Sequence, residues 1–327
     1  MKALRLEAIG RLELVDIDIP VIRENQLLIR TGASVICTSD LADIRENVFG
    51  MKLPSVIGHE GAGTVVTIGA AVTKFRVGDR VTCHPVHPCG QCATCRQGHQ
   101  HLCTAMEHFG INLPGTFAEY FVVREDRARV IPAALPFAVA ALAEPVCVCL
   151  EALERARLQP GNRLLIIGDG PFGVMIARLA QSRRPGKVTI AGRHDFRLSF
   201  AGNAEKINTK TQRLAGEYDA VILAVATAEA ATQGLALLAP RGRLVVFSAI
   251  TGKVPLDLFQ VHLKELEIVG ACNDADMLDQ AVLQLPAVAE LVTQQFPITE
   301  YRQAFELAGH GRDSAMKVAL VFEGEHA

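Results

Sequence analysis

Apolar residues follow two different patterns along the chain. Through the first 130 residues, short runs rich in branched apolar residues recur at Ala3–Leu6, Leu12–Val15, Gln26–Val35, Gly63–Ile68, Arg80–Cys83 and Phe117–Val123, with Gly, Pro and Asp between them. This pattern predicts short strands joined by tight turns, as in a compact β-barrel-like domain. From Leu164 onward, apolar runs alternate with segments of helical period. Strands are expected at Leu164–Ile167, Val188–Ala191, Glu205–Asn208, Ala220–Val225, Arg243–Phe247 and Leu266–Val269. Helices fall between them, among them Val174–Ser182 and Ala228–Leu238, the second closed by Pro240-Arg241-Gly242. Such alternation predicts a doubly wound parallel sheet, an α/β class. Two or three helical segments and a final strand, Met316–Phe322, complete the chain, which has no internal repeat.

Composition narrows the class. With 327 residues, half of them hydrophobic and 21% charged, the chain suits about two globular domains. A net charge of −2 gives no reason to expect nucleic acid or an anionic membrane as partner. The N-terminal segment lacks a signal-peptide apolar core, and the most apolar stretch, Ile131–Leu150, is broken by Pro132, Pro136, Glu144 and Pro145. Nine cysteines without a secretion signal argue for thiols and metal ligands rather than disulfides. The expectation is a soluble cytoplasmic protein.

The first expected strand of the sheet runs into Gly168-Asp169-Gly170-Pro171-Phe172-Gly173, a G-x-G-x-x-G at a strand-to-helix junction. Gly168 makes the turn, Gly170 admits a pyrophosphate to the backbone, and Gly173 lets helix and strand pack closely. Pro171 and Phe172 complete the fingerprint, and the N-terminus of the helix that follows faces the anion. Within a strand–helix–strand frame this reads as a dinucleotide cradle.

Cys89-x2-Cys92-x2-Cys95-x7-Cys103 supplies four thiolates on one glycine-bearing loop, the donor set of a closed tetrahedral zinc site. His84, His87, His99 and His101 lie nearby and are read as surface residues, since four sulfurs complete the shell. Cys83, Cys147, Cys149 and Cys272 stand in apolar surroundings and read as core thiols. A second set is dispersed: Cys37-Thr38-Ser39-Asp40, Gly58-His59-Glu60 and Glu144-Pro145. Thiolate, imidazole and carboxylate together make an open zinc shell with one place left for substrate. Taken singly, each residue has a plainer reading: a buried thiol, a turn, a helix entrance.

In this order, these motifs resemble the zinc-dependent medium-chain alcohol and polyol dehydrogenases. Val-Gly-Asp-Arg-Val at 77–81 and Phe-Ala-Glu-Tyr at 117–120 extend the likeness over nearly the whole chain. The resemblance implies a GroES-like catalytic domain at 1–146 and 275–327, with a structural-zinc lobe at about 84–104. It also implies a Rossmann domain at 147–274 and an active site in the cleft between the two. It implies two zinc ions per chain. Cys37 and His59 fall at catalytic ligand positions, Glu144 falls at the third, and Glu60 is either an alternate ligand or a neighbour behind the metal. Ser39 falls where the substrate proton is passed, its plainer reading being a turn-capping serine. Ala42 stands where several relatives extend the proton path with histidine, leaving Asp43 or water for that step. The implied reaction oxidises a secondary alcohol of a polyol or sugar-like compound to a ketone, with hydride passing to nicotinamide, and runs in reverse as a reduction. Relatives form dimers or tetramers, often through the last sheet strands, here Arg243–Ala249 and Leu266–Cys272.

Two other readings share the fold: a zinc-free NADPH-dependent reductase, and a non-catalytic NADP(H)-binding sensor or scaffold. NAD-type folds place an acid after the second strand. Registered on Arg197-Leu198, that position is Gly192, followed by Arg193 and His194, with Arg197 a turn later. A missing carboxylate and a nearby guanidinium favour the 2′-phosphate of NADP over NAD. Asp195 is the opposing consideration, since a small shift in the strand's end returns an acid. Lys317 reads as a surface lysine, the alternative being a cofactor-phosphate contact.

Overall fold

A computed structural model describes residues 1–274, 276–311 and 313–322. Ala275, the expected start of the returning catalytic segment, lies outside the described residues, as do Arg312 and 323–327. The chain divides into two compact units. One comprises Met1–Pro145 with Ala275–Gly311 and Lys317–Ala327, and the other Val146–Asp274 with Arg312–Met316.

The first unit is built on a seven-stranded sheet. Its path runs Ala128–Val130, Arg80–Cys83, Glu60–Ile68, Gln26–Val35, Lys317–Val321 and Val292–Pro297, with Tyr120–Arg124 also paired to Gln26–Val35. A smaller sheet joins Arg11–Asp16, Lys2–Ala8 and Ser55–Val56. Alternation along Gln26–Val35 buries Leu27 and Ile29 in a core with Val65, Val81, Phe109, Phe121 and Val123. The expected strand Phe117–Val123 begins only at Tyr120, because Phe117 donates its N–H to Ile57 O and so belongs to different neighbours.

The second unit is a six-stranded, wholly parallel sheet in the order Glu205–Asn208, Lys187–Gly192, Arg163–Ile167, Tyr218–Leu223, Leu238–Val246, Glu267–Gly270. Strand order reverses at Arg163–Ile167, which lies between the strand that follows it and Tyr218–Leu223. The crevice beyond such a reversal is where doubly wound sheets take their ligands. Leu165, Val221, Leu223, Leu235 and Leu244 form its core.

The largest departure from expectation lies after the helix Ala228–Ala236. That helix ends earlier, and Leu238 already opens a strand that runs through Pro240-Arg241-Gly242 to Val246. Leu238 is fully buried opposite Tyr218, and the register shift between Tyr218 and Ala220 makes room for the proline and for Arg241 at φ +62°. Burial of Leu238 outweighs the local turn signal. No described helix is long and apolar enough to cross a membrane.

Candidate metal and nucleotide sites

Strand register assembles the first site. Val35 pairs with Glu60 where antiparallel strands Gln26–Val35 and Glu60–Ile68 meet. Cys37, just past one strand, and His59, just before the other, therefore arrive at the same sheet edge. On the opposite side, Ala319 pairs with Val35 and Ile36 donates its N–H to Val318 O, so Lys317 reaches that edge as well. Donor atoms of Cys37, His59 and Glu60 lie within 4.8 Å of one another.

Asp40 ties this group together. It sits in the first turn of the helix Thr38–Glu46. Its Oδ2 accepts the Cys37 N–H at 2.8 Å, and its Oδ1 lies 3.2 Å from His59 Nδ1. A carboxylate on one ring nitrogen leaves the other to face a metal, the usual support for a metal-binding histidine. Burial opposes a charge on His59, but the Asp40 carboxylate and Cys37 outweigh it and raise the imidazole pKa well above its ordinary value. Sequence reasoning passed over Asp40, although the Cys-x-x-Asp spacing at a strand-to-helix junction was its signal. Ser39 is half-buried one residue before it, and Asp43 is buried one helical turn beyond Ser39. Asp43 accepts the Phe49 N–H at 3.1 Å, and burial raises its pKa.

The two nearby glutamates differ in how their charge is answered. Glu60 is fully buried, and Lys317 Nζ stands 2.7 Å from each of its carboxylate oxygens. Lys317 is thus only 3% exposed and is no surface lysine; it answers a carboxylate, not a cofactor phosphate. Glu144, in the first turn of Ala143–Ala156, is buried with its Oε2 lacking a hydrogen-bond partner. Burial raises its pKa to about 7, with His59 drawing it down and Glu60 pushing it up. Glu144 stands outside the tight Cys37–His59–Glu60 group but within reach of its charges. A buried carboxylate with an oxygen lacking a hydrogen-bond partner, within reach of the charge of a carboxylate-backed imidazole, fits a divalent cation. His108, which sequence reasoning also missed, lies with its ring 5.7 Å from that of His59, and burial lowers its pKa to about 4.

Cys89, Cys92, Cys95 and Cys103 gather their sulfurs within 4.8 Å, with Cys92 Sγ and Cys103 Sγ 3.9 Å apart. A tetrahedral shell with Zn–S of about 2.3 Å requires sulfurs roughly 3.8 Å apart, so this group fits a zinc ion. Backbone N–H groups of Cys89 and Ala105 point at Cys103 Sγ, and that of Cys92 at Cys89 Sγ. Such donors favour thiolates; the Thr94 hydroxyl and backbone N–H groups lower the Cys92 pKa to about 5. Of the neighbouring histidines, His99 is exposed, but His84 and His87 are buried, contrary to expectation. His87 packs edge-on to Phe109 at 4.9 Å, so its ring serves the core. Cys83, Cys147 and Cys149 are buried as expected, with burial pushing Cys83 up to about 12, whereas Cys272 is exposed.

The glycine loop of the second unit follows the strand Arg163–Ile167. Gly168 has φ +124°, and a side chain there would press on Ala224 O. A Cβ on Gly173 would overlap Gly168 O. Around Gly170 there is open space where a Cβ would stand, and Pro171 begins the helix Pro171–Leu179. Tight packing at the outer glycines and room at the middle one is the arrangement a pyrophosphate requires. Phe172 stacks edge-on to Phe247 at 5.5 Å. Gly192 ends the second strand, with Arg193 exposed and Arg197 half-buried on the following turn. Asp195 is exposed, and its Oδ1 accepts the Asn208 amide at 2.7 Å.

A parallel nucleotide-type sheet and a β-rich unit with a four-cysteine group and a Cys37–His59–Glu60 group are the features of a zinc-binding, nicotinamide-linked dehydrogenase. The chain belongs to the zinc-dependent medium-chain alcohol and polyol dehydrogenase family: residues 23–133 match the alcohol dehydrogenase GroES-like domain and residues 173–286 the zinc-binding dehydrogenase domain. It is 30% identical to D-altritol 5-dehydrogenase of Agrobacterium fabrum, over 92% of this chain and 94% of that one. Among solved structures, it resembles a zinc-binding dehydrogenase of Sinorhizobium meliloti 1021 bound to NADP, with a TM-score of 0.92, 25% identity and 98% of both chains covered. It equally resembles an alcohol dehydrogenase of Escherichia coli CFT073 complexed with NADH, with a TM-score of 0.93 and 25% identity over 98% of this chain and 99% of that one. The chain is an NAD(P)-dependent enzyme of alcohol oxidation, and neither the zinc-free reductase nor the non-catalytic sensor is favoured.

Proposed function

We propose that the enzyme oxidises a secondary alcohol of a polyol or sugar-like compound at a zinc ion held by Cys37, His59 and Glu144. The observation that carries this reading is the buried Glu144 carboxylate, its Oε2 without a hydrogen-bond partner, within reach of the charge of a carboxylate-backed His59. Relatives that act on altritol and sorbitol support the substrate class. A zinc ion held by this set would supply a Lewis acid to the substrate oxygen. Asp40 fixes the His59 ring through Nδ1, which leaves the other ring nitrogen free to hold a zinc ion. Lys317 holds Glu60 back, leaving the third position to Glu144. Ser39 takes the hydroxyl proton and passes it toward Asp43, one helical turn away, whose burial makes its carboxyl less acidic than usual. Cys89, Cys92, Cys95 and Cys103 would hold a second zinc ion, which would staple their loop and take no part in the chemistry.

The open space at Gly170 receives the pyrophosphate. Gly192, with no acid, and Arg193 and Arg197 beyond it favour NADP over NAD. The enzyme works as a homodimer or homotetramer. Glu267–Gly270 is an edge strand, and Leu258, Phe259, Leu263 and Ile268 are exposed on it or on the preceding helix. The test is metal analysis alongside a dehydrogenase screen of alcohols and polyols with NAD and NADP. Two zinc ions per chain and activity lost in Cys37→Ser are expected; full activity without a zinc ion at Cys37 overturns the reading.

A further inference from the structure

The acid missing from the end of the second strand has a counterpart in the glycine loop. Asp169, the residue between Gly168 and Gly170, is only 7% exposed. Its Oδ2 accepts the backbone N–H groups of Arg193 at 2.6 Å and His194 at 2.7 Å, and lies 3.1 Å from His194 Nδ1. A Cβ on Gly192 would overlap the Asp169 side chain. The two positions therefore depend on each other. An acid at 169 requires glycine at 192, and the volume that a ribose-binding acid at 192 would start from is already taken.

From this geometry we infer that Asp169 is the positioning residue that sets how the enzyme discriminates at the 2′ position of the adenosine. Two backbone donors, with the His194 ring nitrogen beside them on the same buried oxygen, staple the turn Gly192-Arg193-His194 to the glycine loop, and charge-assisted bonds of this kind hold a turn firmly. With its charge spent on those donors, Asp169 fixes the backbone from which the exposed Arg193 side chain reaches a 2′-phosphate. It also fixes the His194 ring through Nδ1. The 5′ part of the nucleotide rests on Gly170 and the helix N-terminus and does not depend on the staple.

This inference rests on the NADP reading above, and one titration separates the two. The zinc-replete full-length protein and its Asp169→Asn and Asp169→Ala variants are titrated calorimetrically with 2′,5′-ADP and with 5′-AMP. Wild-type preference for 2′,5′-ADP tests the NADP reading; equal or tighter binding of 5′-AMP overturns that reading alone. For Asp169, both variants are expected to lose about tenfold or more in 2′,5′-ADP affinity, the worth of one hydrogen bond to a charged group, with 5′-AMP moving less than about twofold. Equal loss of both ligands, an unchanged ratio, or tighter 2′,5′-ADP overturns the inference. The last result would mean that the carboxylate repels the phosphate instead of placing its partner. Melting curves of the variants identify any loss of fold.

Discussion

The ammonium of Lys317 meets the carboxylate of Glu60 at 2.7 Å, across 257 residues of sequence, with both side chains buried. Two charges removed from water are tolerated because each answers the other, and Lys317 also lies 3.5 Å from Ile36 O. Burial draws the lysine pKa down, but the charges of Glu60 and Cys37 more than restore it. Removing one partner leaves the other buried alone. Lys317→Met should therefore cost about 3–5 kcal/mol in urea unfolding, and Lys317→Met with Glu60→Gln should recover most of that loss. Equal losses in the single and double variants would show that the pair contributes nothing.

Asp40 supports two neighbours at once, so its neutral isostere separates shape from charge. In Asp40→Asn an amide oxygen remains to accept the Cys37 N–H, but the charge behind His59 is gone. The expected result is a 10–100-fold loss of zinc affinity at the Cys37 site, read by competition with a chelator. Zinc at the four-cysteine lobe should be unchanged.

The glycines of the loop should fail in different ways. Gly173→Ala overlaps Gly168 O and should cost roughly 1–3 kcal/mol of stability, with a lower melting temperature. Gly170→Ala meets open space, so the melting temperature should hold while dinucleotide affinity falls by at least about tenfold, or roughly 1.4 kcal/mol. If both variants lost stability alike, Gly170 would be a packing position and not a ligand seat.

Asp126 gives the acid limb a specific component. Partial burial pushes its pKa up, but hydrogen bonds and charges from Arg124 and Arg127 prevail and bring it down to about 2. The folded carboxylate is thus more acidic than the unfolded one. Its contribution is fully present above the unfolded value of about 4 and is lost as the pH falls from there toward 2. Asp126→Asn should flatten the unfolding midpoint over that interval and leave its slope above pH 5 unchanged. The pair is half in solvent, so the effect is small.

Local spacing made the cysteine lobe and the glycine loop legible. Cys89, Cys92, Cys95 and Cys103 converge within a 15-residue loop, and the loop Gly168–Gly173 is a single turn whose steric needs are written in its own residues. Period likewise separated the β-rich unit from the parallel sheet, because alternation and helical spacing are properties of neighbouring positions. It misjudged Leu238, where a turn signal yielded to burial against Tyr218.

Which side chains meet at the sheet edge was decided by tertiary structure. Cys37, His59 and Lys317 lie on segments whose adjacency follows from the registers Val35–Glu60 and Val35–Ala319, and no local pattern encodes a register between distant strands. That pairing turned an apparent surface lysine into the buried partner of Glu60, while Glu144 keeps a buried oxygen without a hydrogen-bond partner. The same holds for Asp169 and Gly192. The sequence by itself showed that an acid was missing after the second strand. Only the packing of glycine loop against strand end showed that the space is filled from the other side, because two residues 23 apart compete for one volume.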